Sequence, residues 1–192
     1  YKTNSSAYTM SYPNTVVLAA TFNDKLAREV GYLMGEDMLH TGVTGVYGPG
    51  ANIHRSTYSG RNYEYYSEDG FLSGIMAKQQ IIGIQKTGCY VNMKHFVLND
   101  AESNRHGVGT WANEQSIREI YLQAFEYAIT EGGCTGLMSA FNRLGTLWSG
   151  AHKGLTTEVL RNEWGFNGFV ISDAAWREYM GVVEGVMAGN DC

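Results

Sequence analysis

Short apolar runs of strand length, each followed by a stretch with helical periodicity, constrain this chain more than any other feature. The runs lie at 15–20, 42–47, 89–93, 134–140 and 168–172. Between them apolar side chains recur at three- and four-residue steps, the spacing of one helix face. Leu26, Val30, Leu33, Met34 and Met38 form one such set. Ile75, Ala77, Ile81, Ile82 and Ile84 form a second, and Ile117, Ile120, Tyr121, Ala124, Phe125 and Ala128 a third. Helix starts are signalled by Asn23-Asp24, Ser67-Glu68-Asp69 and Asn113, and stops by Gly42, Gly88 and Gly132. Further helices are expected over 154–164 and 176–188, with long polar loops at 48–66 and 94–112.

Strands that alternate with helices argue for a parallel sheet with right-handed crossovers. Near-continuous apolar strands suit a sheet covered on both faces. The 24 glycines against two prolines fit a fold with many tight strand-to-helix turns. At about 150 residues per domain, 192 residues make one domain or part of a larger one. An open doubly wound sheet and a TIM-type (β/α) barrel both satisfy the pattern. A complete barrel typically needs about 250 residues, so about five βα units here would be a partial barrel or a finished open sheet.

Composition narrows the function classes. Hydrophobic residues at 44% and charged residues at 17% allow a core and exclude compositional disorder. A net charge of −5 without a basic face argues against nucleic acid as partner. No apolar stretch approaches the roughly 18 residues of a membrane span. No basic segment followed by an apolar one opens the chain at Tyr1, and compartment stays unknown. Cys89, Cys134 and Cys192 match neither a metal knuckle nor a disulfide framework, so their redox state is left open. Asn4-Ser5-Ser6 is a formal sequon of a kind common by chance.

Polar residues gather just after the expected strand ends, the edge where parallel α/β folds build their sites. Asn52, His54 and Arg55, then Arg61, Asn62 and Glu64, follow the second run. Lys94-His95, Asn99-Asp100, Glu102 and Arg105 follow the third; Met138 to Asn142 end the fourth, and Ser172-Asp173 the fifth. Asp173 can sit at a pocket or cap the next helix. Adjacent Lys94 and His95 would face opposite ways on a regular strand, and both reach a ligand only if the backbone turns there. Arg61 can fork onto a ligand or pair with Glu64 or Glu68, and Arg55 has the same two options. Gly45, Gly48 and Gly50 lack the dinucleotide spacing, and no phosphate loop is present. The five histidines are scattered without a metal-binding pair, and Ser139 and Ser172 lack a nucleophile elbow.

In combination these segments resemble glycoside hydrolase family 3, the β-glucosidase family. The resemblance rests on Gly48-Pro49-Gly50-Ala51-Asn52-Ile53-His54-Arg55, on Gly60-Arg61-Asn62-Tyr63-Glu64-Tyr65-Tyr66-Ser67-Glu68-Asp69 and on Lys94-His95-Phe96-Val97-Leu98-Asn99-Asp100. It continues through Arg118-Glu119-Ile120-Tyr121-Leu122, Met138-Ser139-Ala140-Phe141-Asn142 and Leu160-Arg161-Asn162-Glu163-Trp164-Gly165-Phe166 into Val170-Ile171-Ser172-Asp173. It covers almost the whole chain in family order.

The resemblance implies the barrel, with residues 1–192 as a single, incomplete N-terminal catalytic domain. It implies a retaining exo-β-glycosidase, acting on a β-glucoside or short β-linked oligosaccharide without cofactor or metal, with Asp173 as nucleophile. Arg61, Lys94 and His95 match residues that bond the hydroxyls of the innermost sugar; Arg105, Met138 and Phe141 fall where that subsite is lined. The acid/base is expected from a later domain, and a sugar-binding aspartate from a segment before Tyr1. Phe141 stands where relatives often carry Tyr, and Ala174 where many carry Trp. Val97-Leu98-Asn99-Asp100 replaces the His-rich loop of the acetylhexosaminidase branch. A β-xylosidase or arabinosidase of the same family, or a silent sugar-binding fragment, is the alternative reading.

Overall fold

The computed structural model describes residues 10–174 and 180–192. Two helices open it, α1 (Thr15–Ala19) and α2 (Asp24–His40), followed by β1 (Gly45–Val46) and α3 (Gly70–Lys86). Next come β2 (Tyr90–Val91), β3 (Met93–Phe96) and the short β4 (Gly109–Thr110). One continuous helix joins α4 (Glu114–Ser116), a π-helical segment (Ile117–Leu122) and α5 (Gln123–Thr130). Then follow β5 (Gly136–Ser139), β6 (Arg143–Leu144), β7 (Leu147–Trp148), a π-helix (Gly154–Glu163), β8 (Phe169–Ser172) and α6 (Val182–Ala188).

The expected helix starts carry side-chain caps. Asn23, Asp69 and Asn113 accept from the amides of Leu26, Leu72 and Ser116 at 3.0, 2.7 and 2.8 Å. Gly42 and Gly88, just past α2 and α3, take positive φ, the left-handed stop that a side chain would strain. Of the helix expected over 176–188, Val182–Ala188 is present as α6; residues 180–181 precede it outside the helix, and 175–179 lie outside the described residues.

The first expected strand, 15–20, is instead helix α1. Val17 and Leu18 amides donate to Asn14 O, and Leu18 and Ala19 enter the core while Val17 stays exposed. Tertiary packing overrides the β preference of its β-branched residues. The other four expected runs are strands, and each lies beside the next in sequence. β1 pairs with β2 in parallel, a bridge joins Gly50 to Lys94, and β3, β5 and β8 form a parallel ladder. Beyond β8 the chain end returns: Asp191 N donates to Val170 O at 2.8 Å and Ser172 N to Cys192 O at 2.7 Å. Among the described residues four strand-helix units are present rather than five, and Asp191 and Cys192 lie hydrogen-bonded along β8. Among the described strands the order never reverses, so the switch point of a doubly wound sheet is not found.

Register separates the two faces. Met93, Leu137 and Val170 lie side by side, fully buried under the helices with Ile81, Ile84, Phe125 and Leu160. Lys94, Met138 and Ile171, the next row, face the other way. Lower on that opposite face Tyr90 and Phe169 stay half exposed and line a hollow with Tyr47, Asn92 and Ile171. Helices α2 and α3 pack backbone to backbone: a methyl on Gly83 would lie 2.1 Å from Arg28 O.

The loop expected at 94–112 is partly regular, because Lys94–Phe96 prolong the strand and β4 pairs with β6. β6 and β7 form a tight hairpin above the strand ends, with Gly145 at φ 61°. Two-residue strands carry too short a pattern to stand out in sequence.

Candidate active site

Asp173 is the first residue beyond β8. Its amide donates to Ser139 O at 3.1 Å, and Ala174 N donates to its Oδ1 at 2.7 Å. Its other oxygen, Oδ2, is buried and accepts no hydrogen bond among the described residues. It lies 3.7 Å from His95 Nε2.

The backbone does turn at Lys94 and His95. Lys94 pairs with Met138 and Phe96 with Ser139, so His95 is an extra residue in the ladder. An inserted residue loses its ladder partners, and here Asn52 replaces them. Its Oδ1 accepts from His95 N and its Nδ2 donates to His95 O, both at 2.9 Å. The Lys94–His95 and Phe96–Val97 peptide bonds are cis. Lys94 Nζ reaches Glu64 Oε2 at 3.1 Å, while the His95 ring turns toward Asp173.

Glu64 closes a single 3₁₀ turn (Asn62–Glu64), which places it beside Arg61, whose Nε donates to Glu64 Oε1. Glu102 lies 3.9 Å from Arg61 and 2.9 Å from Arg105. Lys94, Glu64, Arg61, Glu102 and Arg105 thus form a row of alternating charge. All five side chains are between 17% and 24% exposed, buried enough to interact and open enough to meet a ligand. Of the two acids weighed for Arg61, Glu64 is the partner found. Arg55 instead pairs with Asp100 at 3.6 Å and lies over the Tyr121 ring.

Burial and the charges of this row act together on Glu64 and on the nearby His95. Burial pushes the Glu64 carboxyl upward, but Arg61 and Lys94 outweigh it and hold it below the ordinary value. His95 is 2% exposed; burial first, then Arg61, Lys94 and Arg105, push its imidazole well below its ordinary range. A neutral His95 makes its contact with Asp173 a dipole facing a carboxylate, not an ion pair.

Met138, on β5 between Lys94 and Ile171, is nearly buried. Arg105 stacks 4.5 Å over the Phe141 ring, which meets His106 edge-on at 4.9 Å. Phe141 also packs with Trp148 and Met180, against which Ala174 rests. The Asp173 and His95 side chains therefore face each other, and Arg61, Lys94 and Arg105 are linked through acids. Sequence reasoning gave no role to Asn52, Tyr65, Asn99 or Glu102. The three polar ones stood inside the strand-end clusters, whereas Tyr65 carried no signal separating it from a core aromatic. Among the described residues no group of three His, Cys, Asp or Glu side chains could hold a metal. No described helix is long and apolar enough to cross a membrane. The three cysteines are free, Cys89 and Cys134 buried and Cys192 exposed.

Residues 2–187 match the glycosyl hydrolase family 3 N terminal domain. This chain belongs to that family. Similar members include Beta-glucosidase A of Butyrivibrio fibrisolvens, 41% identical over 95% of this chain and 22% of that protein. A beta-glucosidase of Ruminococcus albus is 40% identical over 85% of this chain and 17% of its own length. Among solved family 3 structures, beta-glucosidase 3B from Thermotoga neapolitana in complex with glucose superposes with a TM-score of 0.92. It is 44% identical, covering 98% of this chain and 26% of that one. The chain thus spans about a sixth to a quarter of the length of these family 3 relatives.

Proposed function

We propose that this chain supplies the nucleophile and most of the inner sugar site of a retaining β-glucosidase. The observation that carries the reading is Asp173 itself: a strand-end carboxylate with one oxygen fixed by a backbone amide and the other left without a hydrogen-bond partner. That free oxygen is the one available to attack an anomeric carbon. Attack would form a glycosyl ester on Asp173 while a second carboxylic acid protonates the departing oxygen. The same group would then take a proton from water as water displaces Asp173, restoring the original anomeric configuration. Retaining chemistry needs that second carboxyl group about 5 to 5.5 Å away. We assign it to a part of the polypeptide outside these 192 residues, in keeping with the fraction of its relatives that the chain spans. No cofactor is invoked, since two carboxyl groups complete the proton balance.

Arg61, Lys94 and His95 would donate to hydroxyls of the bound glucosyl unit, with Glu64 holding the two cations in place beforehand. Arg105, Met138 and Phe141 would line the same subsite. Donors already oriented cost little reorganisation, and their bonds can strengthen as the ring gains oxocarbenium character. Similar beta-glucosidases have been solved in complex with glucose, which supports a glucoside substrate. The parallel strands, neighbours in unbroken sequence order, are read as an arc of a (β/α) barrel.

The test is covalent. The full-length polypeptide containing this chain, incubated with a 2-deoxy-2-fluoro-glucoside, should gain one fluoroglucosyl mass on the peptide holding Asp173. Asp173→Ala should abolish labelling and lower turnover at least about a thousandfold with the fold intact. A label elsewhere, or near-normal turnover in a folded Asp173→Ala protein, overturns the assignment.

A further inference from the structure

The site contains a chain of hydrogen bonds whose direction is fixed at one end. Glu102, paired with Arg105, presents a carboxylate, which can only accept. Asn99 Nδ2 lies 3.1 Å from Glu102 Oε1 and 2.7 Å from the Tyr65 hydroxyl. Turning that amide over would set its oxygen against the carboxylate and lose that bond, while Tyr65 would merely reverse and donate to it, so the Glu102 contact is what fixes the amide. Asn99 Oδ1 accepts no hydrogen bond among the described residues, so the orientation rests on the Glu102 contact. The amide therefore spends one N–H on Glu102 and the other on Tyr65 at 2.7 Å, with His95 Nδ1 farther off at 3.5 Å.

The Tyr65 oxygen, once it accepts from Asn99, has its own proton left to donate. Its neighbour is His95 Nδ1 at 3.0 Å, with the two rings edge-on. Tyr65 and His95 are both buried, and an unplaced proton there would be costly. His95 Nδ1 must then accept, which leaves the single proton of a neutral imidazole on Nε2. Nε2 is the nitrogen turned toward Asp173 Oδ2.

We propose that Glu102, Asn99 and Tyr65 are positioning residues that fix His95 in its Nε2–H tautomer, so that it enters the site as a hydrogen-bond donor. Asn52 grips the backbone of the same residue from the other side, and ring and backbone are set independently. With the opposite tautomer, a bare Nε2 lone pair would face the Asp173 carboxylate, and a sugar hydroxyl there would find two acceptors. The proposal deepens the sugar-site reading and rests on it only for the identity of the ligand.

The test reads the tautomer directly. Histidine-selective nitrogen-15 labelling of the full-length polypeptide, with His95→Gln to assign the signal, distinguishes the protonated from the bare ring nitrogen. It is done at a pH where the imidazole is neutral. The wild-type ring should show the proton on Nε2. Exchanging the acid and the amide, as Asn99→Asp with Glu102→Gln, keeps the net charge and reverses every bond in the chain. The new carboxylate at position 99 would accept from Tyr65, and Tyr65 from His95. The proton should move to Nδ1, with kcat/KM falling roughly a hundredfold for the lost donor. Tyr65→Phe, a milder change in volume, should leave a mixture of tautomers. A proton on Nδ1 in the wild type, or on Nε2 in the folded exchange variant, refutes the proposal. A tautomer that behaves as expected in a protein that takes no fluoroglucosyl label would leave the relay standing and remove only the enzymatic reading.

Discussion

Glu64 offers the sharpest stability test, because it holds a negative charge between Arg61 and Lys94. Glu64→Gln keeps the shape, removes the charge and turns one of its acceptors into a donor facing a cation. At 3.1 Å and an effective dielectric near 20, the attraction to Lys94 alone is about 5 kcal/mol. The pair is partly exposed, and removing the carboxylate also relieves its burial cost; together these offset more than half and leave a net loss of about 2 kcal/mol. The corresponding drop in melting temperature is about 5 °C. The sign with pH follows from the lowered carboxyl: its stabilisation is present above the ordinary 4.5 and is lost as pH falls through the lower folded value. Calorimetry of wild type and Glu64→Gln should show a gap at neutral pH that closes in acid. Exposed Glu68, the other acid within reach of Arg61 in sequence, is the control, and Glu68→Gln should stay within about 0.5 kcal/mol. Equal melting at neutral pH, or a gap that persists undiminished well below 4.5, would refute the electrostatic account.

Two further outcomes are expected. Burial pushes the Cys134 thiol up to about 12 and Cys89 is also buried, so brief alkylation at mildly alkaline pH should mark only Cys192. Mass spectrometry with a denatured control checks this, and labelling of Cys134 in the native protein counts against its burial. The 192-residue chain made alone should bind a hydrophobic dye and self-associate, since Tyr90 and Phe169 and the adjoining strand edges stay uncovered among the described residues. A monodisperse, dye-silent monomer with a cooperative melt would show that the sheet needs no further cover.

The strand-helix alternation and the helix caps at Asn23, Asp69 and Asn113 were legible because they depend on a few neighbouring residues. So was the gathering of polar residues at strand ends, since a parallel sheet sends all those ends to one edge. Family motifs added Asp173, Arg61, Lys94 and His95 by position in the chain. The rest depended on partners distant in sequence. Residues 15–20 have the composition of a strand, yet core contacts make them helical. Residues 191–192 have no strand pattern, yet they lie against β8. The amino-acid sequence determined which elements alternate and which residues stand at their ends. Tertiary structure decided that His95 is the inserted residue, that Glu64 rather than Glu68 meets Arg61, and that Tyr65 faces an imidazole. The physical reason is that pairing register and buried hydrogen bonds are settled between segments tens of residues apart, where no local periodicity records them.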